Sequence, residues 1–131
     1  MRYVGFILLL VSAAVSAAQA PFERWQWQYR IIVIGESQPE ILAQLQANRE
    51  AIEERDIVWF YYDKETVMTN LPGSFEQKQA DSVRRYASNM NALAILIGKD
   101  GGIKSRQQQW DLDTLLAQVD RMPMRRAEQQ P

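Results

Sequence analysis

The chain has 131 residues, 15 basic against 16 acidic for a formal charge of −1, and neither cysteine nor histidine. Thiol–disulfide chemistry, histidine-based triads and imidazole-containing zinc sites are therefore excluded. The near-neutral balance also removes the long-range attraction to phosphate, so nucleic acid is not expected as a partner.

Residues Met1 to Ala20 have the three parts of a secretion signal: Arg2 as a short positive start, an apolar run from Val4 to Val11, and small residues from Ser12 to Ala20. The apolar run is shorter than the roughly 20 residues that a membrane-spanning helix needs. Cutting after Ala20 would leave Pro21 at the new terminus, and its locked ring fits a protease cleft badly. Cleavage is expected earlier, after Ala17 or Ala18, which makes residues 1–18 the signal peptide. The expected compartment is periplasmic or extracellular, with no membrane insertion once the leader is gone. What remains, about 113 residues, is the size of one domain that can bury a core without staples. We place that domain at residues 19–126 and a mobile C-terminal tail at 127–131.

The aliphatic run Tyr29 to Ile34 predicts a strand buried on both faces. Ser37-Gln38-Pro39-Glu40 has the form of a capping box, and Ile41, Leu42, Leu45 and Ile52 give the following helix its apolar stripe, ending near Arg55. Asp56 to Tyr62, dense in β-branched and aromatic residues, predicts the second strand. A loop with Asn70, Pro72 and Gly73 follows. Ser74-Phe75-Glu76-Gln77 then opens a helix whose apolar face is Phe75, Val83, Tyr86, Ala87 and Met90. Ala92 to Ile97 predicts a central strand, and Lys99-Asp100-Gly101-Gly102 a tight hairpin to an edge strand, Ile103 to Arg106. Asp111 caps a last helix with Leu112, Leu115, Leu116, Val119 and Met122 on one side, stopped by Pro123.

The order β-α-β-α-β-β-α implies parallel strands joined by a crossover helix, with an antiparallel hairpin at the end. The expected architecture is a thioredoxin-like α/β fold, three layers in α/β/α order around a mixed four-stranded sheet. Four segments add a more specific resemblance. They are Trp27-x-x-Arg30-Ile31-Ile32-Val33, Glu54-Arg55-Asp56-Ile57-Val58, Ile97-Gly98-Lys99-Asp100-Gly101-Gly102-Ile103-Lys104 and Met122-Pro123-Met124-Arg125-Arg126. Together they are similar to the family called domain of unknown function 4174, over roughly Trp25 to Arg126. That resemblance implies a thioredoxin-like fold, mostly in exported bacterial proteins, with relatives inside animal extracellular-matrix and sushi-repeat proteins. It implies no activity.

In thioredoxin-like enzymes the reactive cysteine lies where the first strand turns into its helix, and here that turn reads Glu36-Ser37-Gln38-Pro39. Ser37 has no histidine to serve as its base, so we assign it to capping rather than catalysis. Ligands of open α/β sheets bind beyond the carboxyl ends of the strands, which here carry Glu36 and Asp63, with Lys64 and Glu65 beside them. Glu36 with Asp63 is a candidate carboxylate cluster for acid–base work or a divalent ion; the alternative is a pair of solvated loop charges. Trp25, Trp27 and Tyr29 alternate with glutamines on an extended segment. They pack beneath the sheet or form a surface for a partner; Met124, Arg125 and Arg126 likewise form such a surface, or else Met122 completes the core and the arginines face the helix C-terminal dipole. No cofactor motif is present, no catalytic residue is nominated and no metal ligand set is assigned. The expected function is a non-catalytic binding or accessory role toward a protein or glycan of the cell envelope. The alternative is a carboxylate-based enzyme or divalent-metal site at the strand carboxyl ends.

Overall fold

A computed structural model describes residues 20–73 and 75–130. The signal peptide expected at residues 1–18 and the capping role of Ser74 lie outside the described residues. In chain order, a 3-10 turn (Ala20–Trp25) leads into β1 (Arg30–Ile34), α1 (Pro39–Ala47), α2 (Arg49–Glu54) and β2 (Ile57–Asp63). There follow β3 (Thr66–Thr69), α3 (Gln77–Asn89), β4 (Ala94–Ile97), β5 (Ile103–Gln107), α4 (Leu112–Asp120) and α5 (Pro123–Glu128).

The strands form one open mixed sheet in the order β3-β2-β1-β4-β5. β1 is central because every one of its residues is buried. It runs parallel to β2, with Ile32 opposite Trp59, and antiparallel to β4, with Ile32 opposite Leu96. Alternation along the strands splits the core into two layers. Ile32, Ile34, Trp59, Tyr61 and Leu96 pack with Ile41 and Leu45 of α1, Ile52 of α2, and Leu112, Leu115 and Val119 of α4. Ile31, Val33, Val58, Phe60, Ile95 and Ile97 pack on the other face with Phe22, Trp25 and the α3 residues Val83 and Ala87. Each fully buried Ile or Leu contributes roughly 1.5–3 kcal/mol, so the two apolar layers hold the helices to the sheet.

Several expectations change on this frame. The sheet has five strands rather than four, because Thr66–Thr69 pairs antiparallel with β2 through a two-residue turn at Lys64 and Glu65. The first predicted helix is two helices, α1 and α2. At the break, Asn48 turns its side-chain amide back onto the Gln44 carbonyl at 2.8 Å and leaves helical geometry at φ −109° and ψ 28°. Ser37 does not cap α1. Gln38 holds the cap position, and the Ser37 hydroxyl lies 3.3 Å from the Tyr61 hydroxyl instead. α3 begins two residues later than predicted, with Glu76 at its cap and the Glu76 N–H donating to Gln79 Oε1 at 3.4 Å.

The segment before β1 is a 3-10 turn followed by a second turn and not an extended strand, so its aromatics separate: Trp25 is buried and Tyr29 half-buried in the Phe60 layer, while Trp27 is exposed. The predicted Lys99–Gly102 hairpin is present: Gly101 takes φ +86° and the Gly98 N–H donates to the Gly102 carbonyl. Asp111 caps α4 as expected, accepting from the Thr114 N–H at 3.0 Å. Pro123 ends the apolar stripe but also starts α5 from its first turn, so residues up to Glu128 are helical where a tail was expected from residue 127. Among the described residues no helix is long and apolar enough to cross a membrane.

Candidate functional site

Arg30 is the first residue of β1 and only 1 % exposed. A buried guanidinium needs partners, because desolvating an unpaired charge costs several kcal/mol. Arg30 makes three bonds to two of them: its Nη1 donates to the Arg55 carbonyl at 2.8 Å and to Glu128 Oε1 at 3.2 Å, and its Nη2 donates to Glu128 Oε2 at 3.1 Å. Lys99, 8 % exposed, follows β4 at the same end of the sheet. Its ammonium donates to Glu128 Oε2 and Asp56 Oδ2, each at 2.9 Å. One carboxylate on α5 therefore joins the ends of two strands. Burial opposes the charge on Glu128, yet the bonds from Arg30 and Lys99 outweigh it and hold the carboxyl below its ordinary value.

A second group of charges fastens α5 and α4 to α2. Arg55 grips Asp120 with two bonds of 2.8 and 3.0 Å. Arg125 donates to the Glu54 carbonyl at 2.9 Å and to Glu54 Oε1 at 3.2 Å. Arg125 and Arg30 thus place positive charge against the last carbonyls of α2, where the helix end is partly negative. The Arg55 bond, against some burial, holds the Asp120 carboxyl low.

Beside this network lies a cavity of about 430 Å³. Arg30 and Lys99 line it together with Gln118 and Arg121 from the end of α4, the Gly98–Lys104 hairpin, and Met122, Pro123 and Met124. The Trp27 backbone N–H donates to the Lys99 carbonyl at 2.7 Å, which ties the 63 % exposed Trp27 to that hairpin. All four segments that carry the sequence resemblance meet here, at the amino ends of β1 and β2 and the carboxyl end of β4.

The nominated carboxylates lie elsewhere. Glu36 and Asp63 follow β1 and β2 and so share the opposite end of the sheet, since Ile34 pairs with Tyr61. Both are exposed, and among the described residues neither makes a side-chain hydrogen bond or an ion pair. No group of three or more metal-ligating side chains is gathered among the described residues. The proposed partner surface divides. Trp25 is 6 % exposed, packed at tilted angles against Phe22, Phe60 and Phe75, and Arg125 is 4 % exposed inside the ion network; neither is a surface residue. Trp27, Met124 (41 % exposed) and Arg126 remain at the surface.

None of Arg30, Asp56, Lys99, Gln118, Arg121 and Glu128 is nominated for a site in the sequence, although Arg30, Asp56 and Lys99 lie in the segments that carry the resemblance. The available signal was a charge at each margin of a wholly apolar strand, Arg30 before Ile31 and Lys99 after Ile97-Gly98, where the flanking burial demands a counter-ion.

No curated protein and no solved structure matches this chain. The family described as Domain of unknown function (DUF4174) matches residues 21–128, from the 3-10 turn to the carboxylate that joins Arg30 and Lys99. That span contains the whole sheet, both charge groups and the cavity wall, and the chain belongs to the DUF4174 family.

Proposed function

We propose that this protein is an exported, non-catalytic binding domain, a thioredoxin-like scaffold that holds its ligand at the amino end of its central strand. The observation that carries the proposal is the 430 Å³ cavity, built over a buried charge network and walled by Met122, Pro123 and Met124. Its volume is in the range of small-molecule sites, and the mixture of apolar wall and a few fixed polar groups is the usual make-up of such sites. Export is supported by the positive, apolar and small-residue parts of the leader. The thioredoxin-like assignment is supported by the β2-β1-β4-β5 part of the sheet, with β1 and β2 parallel and an antiparallel terminal hairpin; β3 is then an added edge strand. A chain without cysteine or histidine lacks that fold's redox chemistry.

A photo-crosslinking amino acid placed at Met124 in living cells tests the proposal, with the same probe at Glu36 as the comparison. Adducts from position 124 and none from position 36, identified by mass spectrometry, are the expected result. Adducts from position 36 alone contradict it and return the site to the strand carboxyl ends.

A further inference from the structure

We infer that the cavity takes a small organic monocarboxylate that carries an apolar group and an adjacent amide or hydroxyl, with Arg121 as the residue that reads its charge. The inference rests on the binding reading above and goes further by assigning the ligand class. Four cations line the cavity, Arg30, Lys99, Lys104 and Arg121. Glu128 and Asp56 compensate Arg30 and Lys99, and Asp100 meets Lys104 at 2.8 Å. Arg121 alone of the four has no carboxylate partner among the described residues; its Nε donates only to the Ala117 carbonyl, at 3.3 Å. The charge left over at the cavity is thus a single positive one, which matches one carboxylate and not a polyanion.

Two further atoms belong to residues of the same cavity wall. Arg30 Nε, a donor, and Gln118 Oε1, an acceptor, are both buried without a hydrogen-bond partner, and both residues line the cavity. Buried polar atoms are rarely left unpaired, and a ligand group that both accepts and donates, such as an amide or hydroxyl, would supply what each lacks. Met122 and Met124 supply an adaptable apolar wall for the rest of the molecule. A hydrophobic residue acylated at nitrogen, with its free carboxylate, satisfies all three requirements.

N-Acetylleucine is the probe, titrated calorimetrically into the full mature chain beside its methyl ester, acetate and inorganic phosphate. A ligand of this size binds in the millimolar range. N-Acetylleucine is expected to bind, and the ester, acetate and phosphate to bind at least about tenfold more weakly, because each lacks either the charge or the apolar group. Arg121→Gln, whose exposed side chain leaves the fold intact by thermal melting, is expected to weaken N-acetylleucine about tenfold, and Gln118→Leu to weaken it without abolishing the charge preference. Phosphate binding as tightly as N-acetylleucine, or an unchanged affinity in Arg121→Gln, overturns the assignment. No binding of N-acetylleucine together with crosslinked adducts at position 124 overturns the ligand class alone; failure of both overturns the binding reading with it.

Discussion

At the scale of single residues, Glu128 compensates two buried cations at once, and neither cation has another carboxylate able to replace it fully: Arg30 has none, and Lys99 keeps only Asp56. Glu128→Gln preserves the shape and removes the charge. We expect a loss of about 2–3 kcal/mol in urea unfolding, close to the cost of stripping the ionised partner from a largely buried bond. A loss under about 0.5 kcal/mol, the level of an ordinary surface substitution, would show that the pair is solvated. Acid sensitivity follows from the same carboxyls. Glu128 and Asp120 are held low in the folded chain, so their contribution is complete above the ordinary carboxylate values, about 3.9 for Asp and 4.3 for Glu. It is lost as pH falls from there through the depressed folded values. Wild type is expected to lose stability below about pH 4.3 more steeply than Glu128→Gln, which has one linked carboxyl fewer. Parallel acid-unfolding curves for the two proteins would contradict this. The sequence marks Arg30 and Lys99 as charges beside buried strands, but nothing local names Glu128, 98 positions from Arg30, as their partner.

Among the elements, β3 and α5 were the least legible, for different reasons. β3 alternates exposed and half-buried residues over only four positions and is reached through Lys64-Glu65, where neither glycine nor positive φ announces a hairpin. Its end is fixed by Asn70, whose Oδ1 accepts from the Trp59 N–H at 2.8 Å while its Nδ2 donates to the Ile57 carbonyl at 3.1 Å. The side-chain amide thus extends the ladder beyond the last strand residue. Asn70→Ala leaves both backbone groups of a buried strand without partners and is expected to cost about 1–3 kcal/mol, with faster hydrogen exchange at Trp59. Unchanged exchange there would mean that another group satisfies the strand.

α5 was hidden by Pro123, which stops one helix and begins the next, and by an Arg- and Gln-rich composition that resembles a tail. Its hold on the domain is ionic, through Arg125 to Glu54 and Glu128 to Arg30 and Lys99. Truncation after Met122 is expected to lower stability by about 3–5 kcal/mol, since it uncovers Arg30 and Lys99 together. An unaltered melting temperature would make α5 an appendage. The strands with continuous apolar or aromatic runs, β1, β2 and β4, were readable because period and propensity agree in them.

Over the whole molecule, the sheet has two ends, and the sequence pointed to one of them by general rule. Open α/β sheets place ligands at the carboxyl ends of the strands, and that end carries Glu36 and Asp63. In this chain those side chains are exposed and unengaged among the described residues, while the opposite end gathers Arg30, Lys99, Arg121, Glu128 and the cavity. The positions of β1, β2 and β4 follow from hydrophobic pattern, but the convergence of four separated segments on one end is a tertiary fact, set by the antiparallel placement of β4 against β1 and by the return of α5. The most direct test is an amide chemical-shift map of the isotopically labelled domain, residues 19–131, titrated with a small-molecule extract of the cells. Shifts confined to residues 98–104 and 118–124, with residues 35–37 and 62–65 unmoved, are the predicted result. Shifts centred on Glu36 and Asp63, with the cavity residues unmoved, would contradict the account.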